Sequence, residues 1–188
     1  RYIQRVFSDK ELEKNIAKEA HLTALSWKPE KGRNILVDNA IWLEKQHMKA
    51  KKKILLWGGK SKAKILNNML LQQGEEINYI YDKFIENIDF DTNAKFSNKK
   101  NDLLKIISDS SHFVVCLGAG EYGKGRHLIS LELIKKGLRP LSIISKHSFV
   151  DSTASIGWGI QAMPGSLVHS FTKVGDACIL NSNSTIDH

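Results

Sequence analysis

From Ile144 to the last residue the chain holds a six-residue register. Written in sixes it reads ISKHSF, VDSTAS, IGWGIQ, AMPGSL, VHSFTK, VGDACI, LNSNST and IDH. The first position is Ile144, Val150, Ile156, Ala162, Val168, Val174, Leu180 and Ile186, apolar in every hexad. The fifth is Ser148, Ala154, Ile160, Ser166, Thr172, Cys178 and Ser184, small or hydroxyl-bearing at all but Ile160. A chance succession of alternating strands does not keep such a register this long, and hexad periodicity marks a parallel β-helix. Three hexads form one triangular coil. The first position points inward, and the small fifth position lets the chain turn the corner. Residues 144–188 supply about 2.5 coils with no capping coil, so the β-helix is expected to be truncated at His188 and to continue beyond it.

Upstream the periodicity changes. Ile54 to Trp57 is a short apolar strand followed by Gly58-Gly59-Lys60-Ser61-Lys62-Ala63-Lys64. Ile65, Leu66, Met69 and Leu70 then recur at helical spacing, and Gly74 supplies a stop. Ile77 to Tyr81 is the next strand and ends at Asp82. This β-α-β unit implies a parallel sheet. Its turn brings backbone N–H groups to a helix N-terminus, where a phosphate is favoured. An acid at the end of the second strand can reach a ribose hydroxyl. The candidate binding residues are therefore Gly58, Gly59, Lys60, Ser61 and Asp82. A tight turn that binds nothing is the plain alternative.

A second glycine loop follows Val114 to Leu117, which reads as a later strand of the same sheet. Gly118-x-Gly120-x-x-Gly123 spells the dinucleotide fingerprint, and a helix from about Lys124 to Lys136 runs to Gly137. Its position argues against that function. The fingerprint belongs to the first β-α-β unit, with an acid about 20 residues on, whereas the chain around Ile143 reads LSIISK, without a carboxylate. Gly118 and Gly120 are instead expected to let this loop lie near a ligand held by the first turn.

Residues 1–47 form a separate helical segment. Ser8 and Glu11 spell a capping box for a helix from about Asp9 toward Leu25. Pro29 and Gly32 break it, and Asn39 to His47 is a second helical stretch. No chemistry is legible there, and His21 and His47 read as surface residues. The segment is expected to be the tail of a preceding domain, such as a membrane-associated sugar-transferase module, with Met48 opening the next domain. The division is thus 1–47, an α/β domain over 48–143, and a β-helix over 144–188.

Charge follows the same division. Residues 144–188 hold two lysines and three aspartates, so residues 1–143 carry +9 of the total +8. A basic half attracts phosphates, although a lysine-rich solvated surface would look the same. No nucleic-acid recognition module is present. No run of about 18 apolar residues occurs, and no signal peptide opens the chain. Cys116 and Cys178, each placed in a strand, read as buried thiols of a reducing compartment. Together these point to the cytoplasm.

A Gly-turn α/β domain followed by a left-handed hexapeptide β-helix resembles the sugar acyltransferases of the sialic-acid O-acetyltransferase and UDP-4-amino-sugar N-acetyltransferase type. The resemblance covers about residues 50–188. The family's first loop looks like G-x-G-G-H-[AG]-[KR]; here Gly58 and the Ala63-Lys64 end are kept, while Lys60 and Ser61 replace glycines and Lys62 replaces the histidine. Asp82 matches the family's aspartate after the second strand. ILNSNSTIDH is similar to I-I-N-x-x-[SA]-x-[IV]-[DE]-H, whose histidine is the family's proposed general base, so that role maps onto His188.

The resemblance implies a small Rossmann-like parallel α/β domain joined to a left-handed parallel β-helix. It implies acetyl-CoA as acyl donor, no metal cofactor, and a homotrimer that holds CoA between neighbouring β-helices. The acceptor would be an amine or hydroxyl of a nucleotide-linked or surface-glycan sugar, in polysaccharide biosynthesis. A histidine near neutral pKa suits the proton removal that acyl transfer requires. The oxyanion donor and most of the CoA groove would lie on later coils. Two other classes are open. One is a non-catalytic nucleotide-sugar-binding or scaffold protein. The other is a zinc-dependent β-helical hydratase using His169 and His188, which stand at different hexad positions and lack a clear third histidine.

Overall fold

A computed structural model describes residues 51–118 and 120–187. The expected helices at 9–25 and 39–47, His21, His47, the start at Met48 and the proposed base His188 lie outside the described residues.

The α/β part runs β1 (Ile54–Trp57), α1 (Ser61–Gln72), β2 (Ile77–Tyr81), β3 (Lys95–Ser97), α2 (Leu103–Asp109), β4 (His112–Val115), α3 (Lys124–Lys135) and β5 (Arg139–Pro140). The five strands form one sheet in the order β3-β2-β1-β4-β5, and every pair is parallel. β1 is central, and the apolar run ILL is fully buried because both faces of the sheet are covered. Alternation along the strands divides the core. Ile54, Leu56, Ile80 and Val114 pack with Leu66 and Leu70 of α1. Leu55, Phe113 and Val115 pack with Ile106 of α2 and Leu133 of α3 on the other face. α1 stops as expected: Gly74 takes φ +75°, and the Gln73 and Glu75 N–H groups close on the Leu70 carbonyl at 2.9 and 3.0 Å.

The strand expected at Val114–Leu117 is displaced to His112–Val115, because Ile54 of the four-residue β1 pairs with His112. Cys116 therefore follows β4 instead of lying within it. Cys178, also expected in a strand, precedes one, because it occupies a corner position. Both thiols are free, and Cys116 is buried.

Eight two-residue strands then wind the β-helix: β6 (Ile143–Ile144), β7 (Phe149–Val150), β8 (Ser155–Ile156), β9 (Gln161–Ala162), β10 (Leu167–Val168), β11 (Lys173–Val174), β12 (Ile179–Leu180) and β13 (Thr185–Ile186). Each strand joins the sixth position of one hexad to the first of the next. Leu167 pairs with Phe149 and with Thr185, one coil to either side, and the three faces are β6-β9-β12, β7-β10-β13 and β8-β11, all parallel. First positions do fill the interior. Ala162, Val168, Val174 and Leu180 are buried in one cluster, and Ile144, Val150, Ile156 and Ile186 pack against it.

Corners are tight where coils stack. A Cβ at Gly157 would lie 2.7 Å from the Asp176 backbone nitrogen and 2.8 Å from its Cα, in the next coil. Asp176 also accepts a hydrogen bond from the Trp158 N–H at 3.0 Å. Gly157→Ala is therefore expected to cost about 1–3 kcal/mol through overpacking against backbone that cannot yield, read as a lowered midpoint in urea unfolding at unchanged slope.

The two cores share side chains. Ile143 and Met163, both from the β-helix, are buried in the α1-side cluster of the sheet. The Gln161 amide, also buried, donates to the Val115 carbonyl at the end of β4 (2.8 Å), and Gln73 donates to the Ile144 carbonyl (2.7 Å).

Candidate functional site

In an open parallel sheet, ligands bind beyond the carboxyl ends of the strands, where the strand order reverses. Here that point lies between β1 and β4, and a concavity of about 360 Å³ opens there. Five of the seven binding residues expected from the sequence line it: Gly58, Lys60, Ser61, Asp82 and Gly118. Lys62, Ile65, Cys116 and Leu117 complete the wall. Gly59 stands behind it, and Gly120 lies apart, exposed at the start of a 3-10 turn over Gly120–Gly123.

The first turn is built by glycine and an aspartate. Gly58 has φ +107°, donates its N–H to the Tyr81 carbonyl at 2.8 Å, and lies so near Cys116 that a Cβ would sit 3.3 Å from the cysteine's own. Both Asp82 carboxylate oxygens accept backbone N–H groups, from Gly59 and from Phe84, each at 2.9 Å. Asp82 thus pins the β1–α1 turn to the turn after β2, a structural role beside the ligand contact expected of it. Lys60 is the N-cap residue of α1, which has no side-chain cap and no acid in its first turn. The start of the helix, Lys60 to Lys62, lines the concavity, and a helix N-terminus favours an anion.

Lys62 was not among the binding residues expected from the sequence. It lies one turn before Leu66 on the buried face of α1, so helical periodicity could have placed it. Burial lowers its pKa, the nearby Arg126 cation lowers it further, and Cys116 offsets part of this. Among the described residues it has no hydrogen-bond or ion-pair partner. A lysine whose native pKa lies below its ordinary 10.5 binds more protons unfolded than folded between those two values. Stability then rises with pH across that window, and the full penalty is present at neutral pH. Lys62→Met is accordingly expected to raise the thermal midpoint at pH 7, with the gain shrinking as pH approaches 10.5. A lowered midpoint at pH 7 would show that Lys62 is stabilised by its surroundings. Burial raises the Cys116 thiol far above its ordinary range, which keeps that wall of the concavity neutral.

Arg126 of α3 explains the second glycine loop. It is nine-tenths buried. Nη1 donates to the carbonyls of Leu117 (3.2 Å) and Gly118 (2.9 Å), and Nε donates to the carbonyl of Ala177 in the β-helix (2.7 Å). Burial lowers its pKa and Cys178 partly offsets this. Gly123 has φ +81°, and a Cβ there would lie 2.6 Å from Arg126 Nη2. The loop that spells a dinucleotide fingerprint thus turns two carbonyls toward a cation, and its third glycine makes room for a guanidinium. The sequence signal was a charged residue on the stripe formed with Ile129, Ser130 and Leu133.

A larger concavity, about 430 Å³, opens at the opposite end of the sheet beside Ile77 and Lys95. Two of the amides that line it serve the fold: Asn67 donates to the Asp91 carbonyl, and Asn78 accepts the Ile54 N–H. The carboxyl-end concavity is the better candidate because it lies where the strand order reverses and beside the start of α1. His169 is exposed, and among the described residues no three His, Cys, Asp or Glu side chains are grouped to hold a metal ion. No helix of the described residues is long and apolar enough to cross a membrane.

A parallel α/β sheet leading into a parallel β-helix is an architecture found in solved acetyltransferases. PerB from Caulobacter crescentus, solved in complex with CoA and GDP-perosamine, matches with a TM-score of 0.63 at 20% identity, over 74% of this chain and 64% of PerB. The acetyltransferase domain of PglB from Neisseria gonorrhoeae, solved with acetyl coenzyme A, matches with a TM-score of 0.62 at 20% identity, over 74% of this chain and 66% of that domain. The likeness is one of fold, and the chain spans less than two thirds of the length of PerB. No protein-family model matches the sequence, and no curated protein matches it significantly.

Proposed function

We propose that the protein is an acyl-CoA-dependent sugar acyltransferase, with acetyl-CoA as donor and the carboxyl-end concavity as the seat of a nucleotide-linked acceptor. The observation that carries this reading is the concavity itself. It joins a helix N-terminus without a side-chain cap to Lys62, which has no partner among the described residues, in a fold shared with proteins solved with CoA, acetyl-CoA and GDP-perosamine. In this reading the α/β part is a Rossmann-like acceptor-binding domain and the β-helix is left-handed. The assembly is a cytoplasmic homotrimer with CoA between neighbouring β-helices.

The acceptor nitrogen or oxygen attacks the thioester carbonyl. A C–N or C–O bond forms as the C–S bond breaks. His188 takes the acceptor proton and returns it to the CoA thiolate. Gly58, Gly59, Lys60, Ser61 and Asp82 form the acceptor's turn, and Gly118 borders it, while Gly120 stays outside it.

Calorimetric titration with UDP, GDP, a UDP-amino sugar and NADPH tests the acceptor half. Binding of a nucleoside diphosphate or its sugar, with none of NADPH, is the expected result. NADPH binding alone would restore the dinucleotide reading of the second glycine loop and overturn this one. Silence from all four would move the acceptor to a sugar without a nucleotide. Binding with no acyl transfer by the full-length protein would mark a non-catalytic nucleotide-sugar-binding protein.

A further inference from the structure

We propose that Arg126 is a positioning residue: it fixes the Leu117–Gly118 wall of the concavity against the Ala177 coil of the β-helix, so that a bound acceptor and the β-helix hold one register. The proposal rests on the acceptor reading above, but its geometry stands without it. One guanidinium serves three carbonyls from two parts of the chain: Leu117, Gly118 and Ala177. Ala177 is itself held in a left-handed conformation (φ 52°), and its N–H donates to the Trp158 carbonyl at 2.7 Å. A residue whose only task was to fill space between α3 and the β-helix would not need a buried cation there. A hydrocarbon of similar volume would avoid the desolvation cost. What the fork adds is direction, because a planar guanidinium with donors at fixed angles holds its acceptors in one arrangement. Lys62 lines the same concavity as the Leu117–Gly118 wall that Arg126 sets.

Two variants disturb the fork in different ways. Arg126→Lys keeps the charge and loses the geometry, since one ammonium cannot reach three carbonyls in two segments. Gly123→Ala keeps the arginine and drives a methyl group against Nη2. Val168→Ala serves as the control, destabilising the β-helix core away from the loop. Hydrogen–deuterium exchange of the full-length protein reads the coupling without any ligand, and UDP affinity reads its consequence.

The expected result is faster exchange in residues 116–118 and 177–179 together in both fork variants, and UDP affinity lowered about tenfold. In Val168→Ala, affinity should stay within about twofold, since Val168 lines neither the concavity nor the Arg126 fork and the folded state stays dominant. The proposal is overturned if both fork variants leave residues 116–118 as protected as Val168→Ala does. It is also overturned if they loosen that segment while residues 177–179 keep wild-type protection. Failure of the unaltered protein to bind UDP, GDP and a UDP-amino sugar alike would count against the acceptor reading, while the exchange data would still decide the role of Arg126.

Discussion

Val168→Asp is expected to abolish the native β-helix and to lower the thermal midpoint of the whole described unit by about 10 °C or more. Val168 is fully buried, midway along the face whose coils pair it with Val150 and Ile186. The triangular interior there is lined by Ala162, Val174 and Leu180, which offer no hydrogen-bond donor. A carboxylate placed among them is either unpaired or neutral and unsatisfied, at a cost of about 4 kcal/mol or more. The loss should not stay local. Met163 and Ile143 insert β-helix side chains into the core that carries Leu66 and Leu70 of α1, so unwinding the coils opens cavities in the sheet. Scanning calorimetry and circular dichroism should therefore show one displaced transition. A sheet transition that stays at the wild-type temperature while the β-helix alone melts would refute this coupling.

His188→Ala is expected to lower the rate of acyl transfer by about 10²-fold or more in the full-length protein, with KM for the acceptor little changed. A base that acts only as the acceptor loses its proton contributes to the transition state and not to ground-state binding. CoA release can be followed through its free thiol. The unaltered protein should show a rate that rises with pH through the titration of a histidine, and the variant should lose that limb. An unchanged rate would remove His188 from the mechanism.

The parts of the fold that were legible share a physical cause: each rests on a short, strict period. A coil of three hexads needs an apolar side chain at every sixth position, because the triangular interior admits one inward residue per face. Ile144 to Ile186 could thus be placed by reading alone. β1, α1 and β2 were legible because Ile54–Trp57 and Ile77–Tyr81 are buried runs and Gly74 ends the helix between them. The shift of β4 to His112–Val115 was not legible, because strand ends are set by the partner's length and the next residues, Cys116 to Gly118, are as apolar or small as a strand requires.

At the site, the sequence by itself determined the turn: two glycines, a helix start and an aspartate at the next strand end, at the spacing of a β-α-β unit. The motif also fixed the spelling of the second loop, but not its purpose. Only the tertiary structure decided that Gly123 houses the Arg126 guanidinium, that Asp82 holds the first turn with both oxygens, and that Lys62 lines the concavity. The reason is distance along the chain. Arg126 meets Ala177 across 51 residues and Gln161 meets Val115 across 46, and no local period encodes a contact that exists only once the coil has been wound against the sheet.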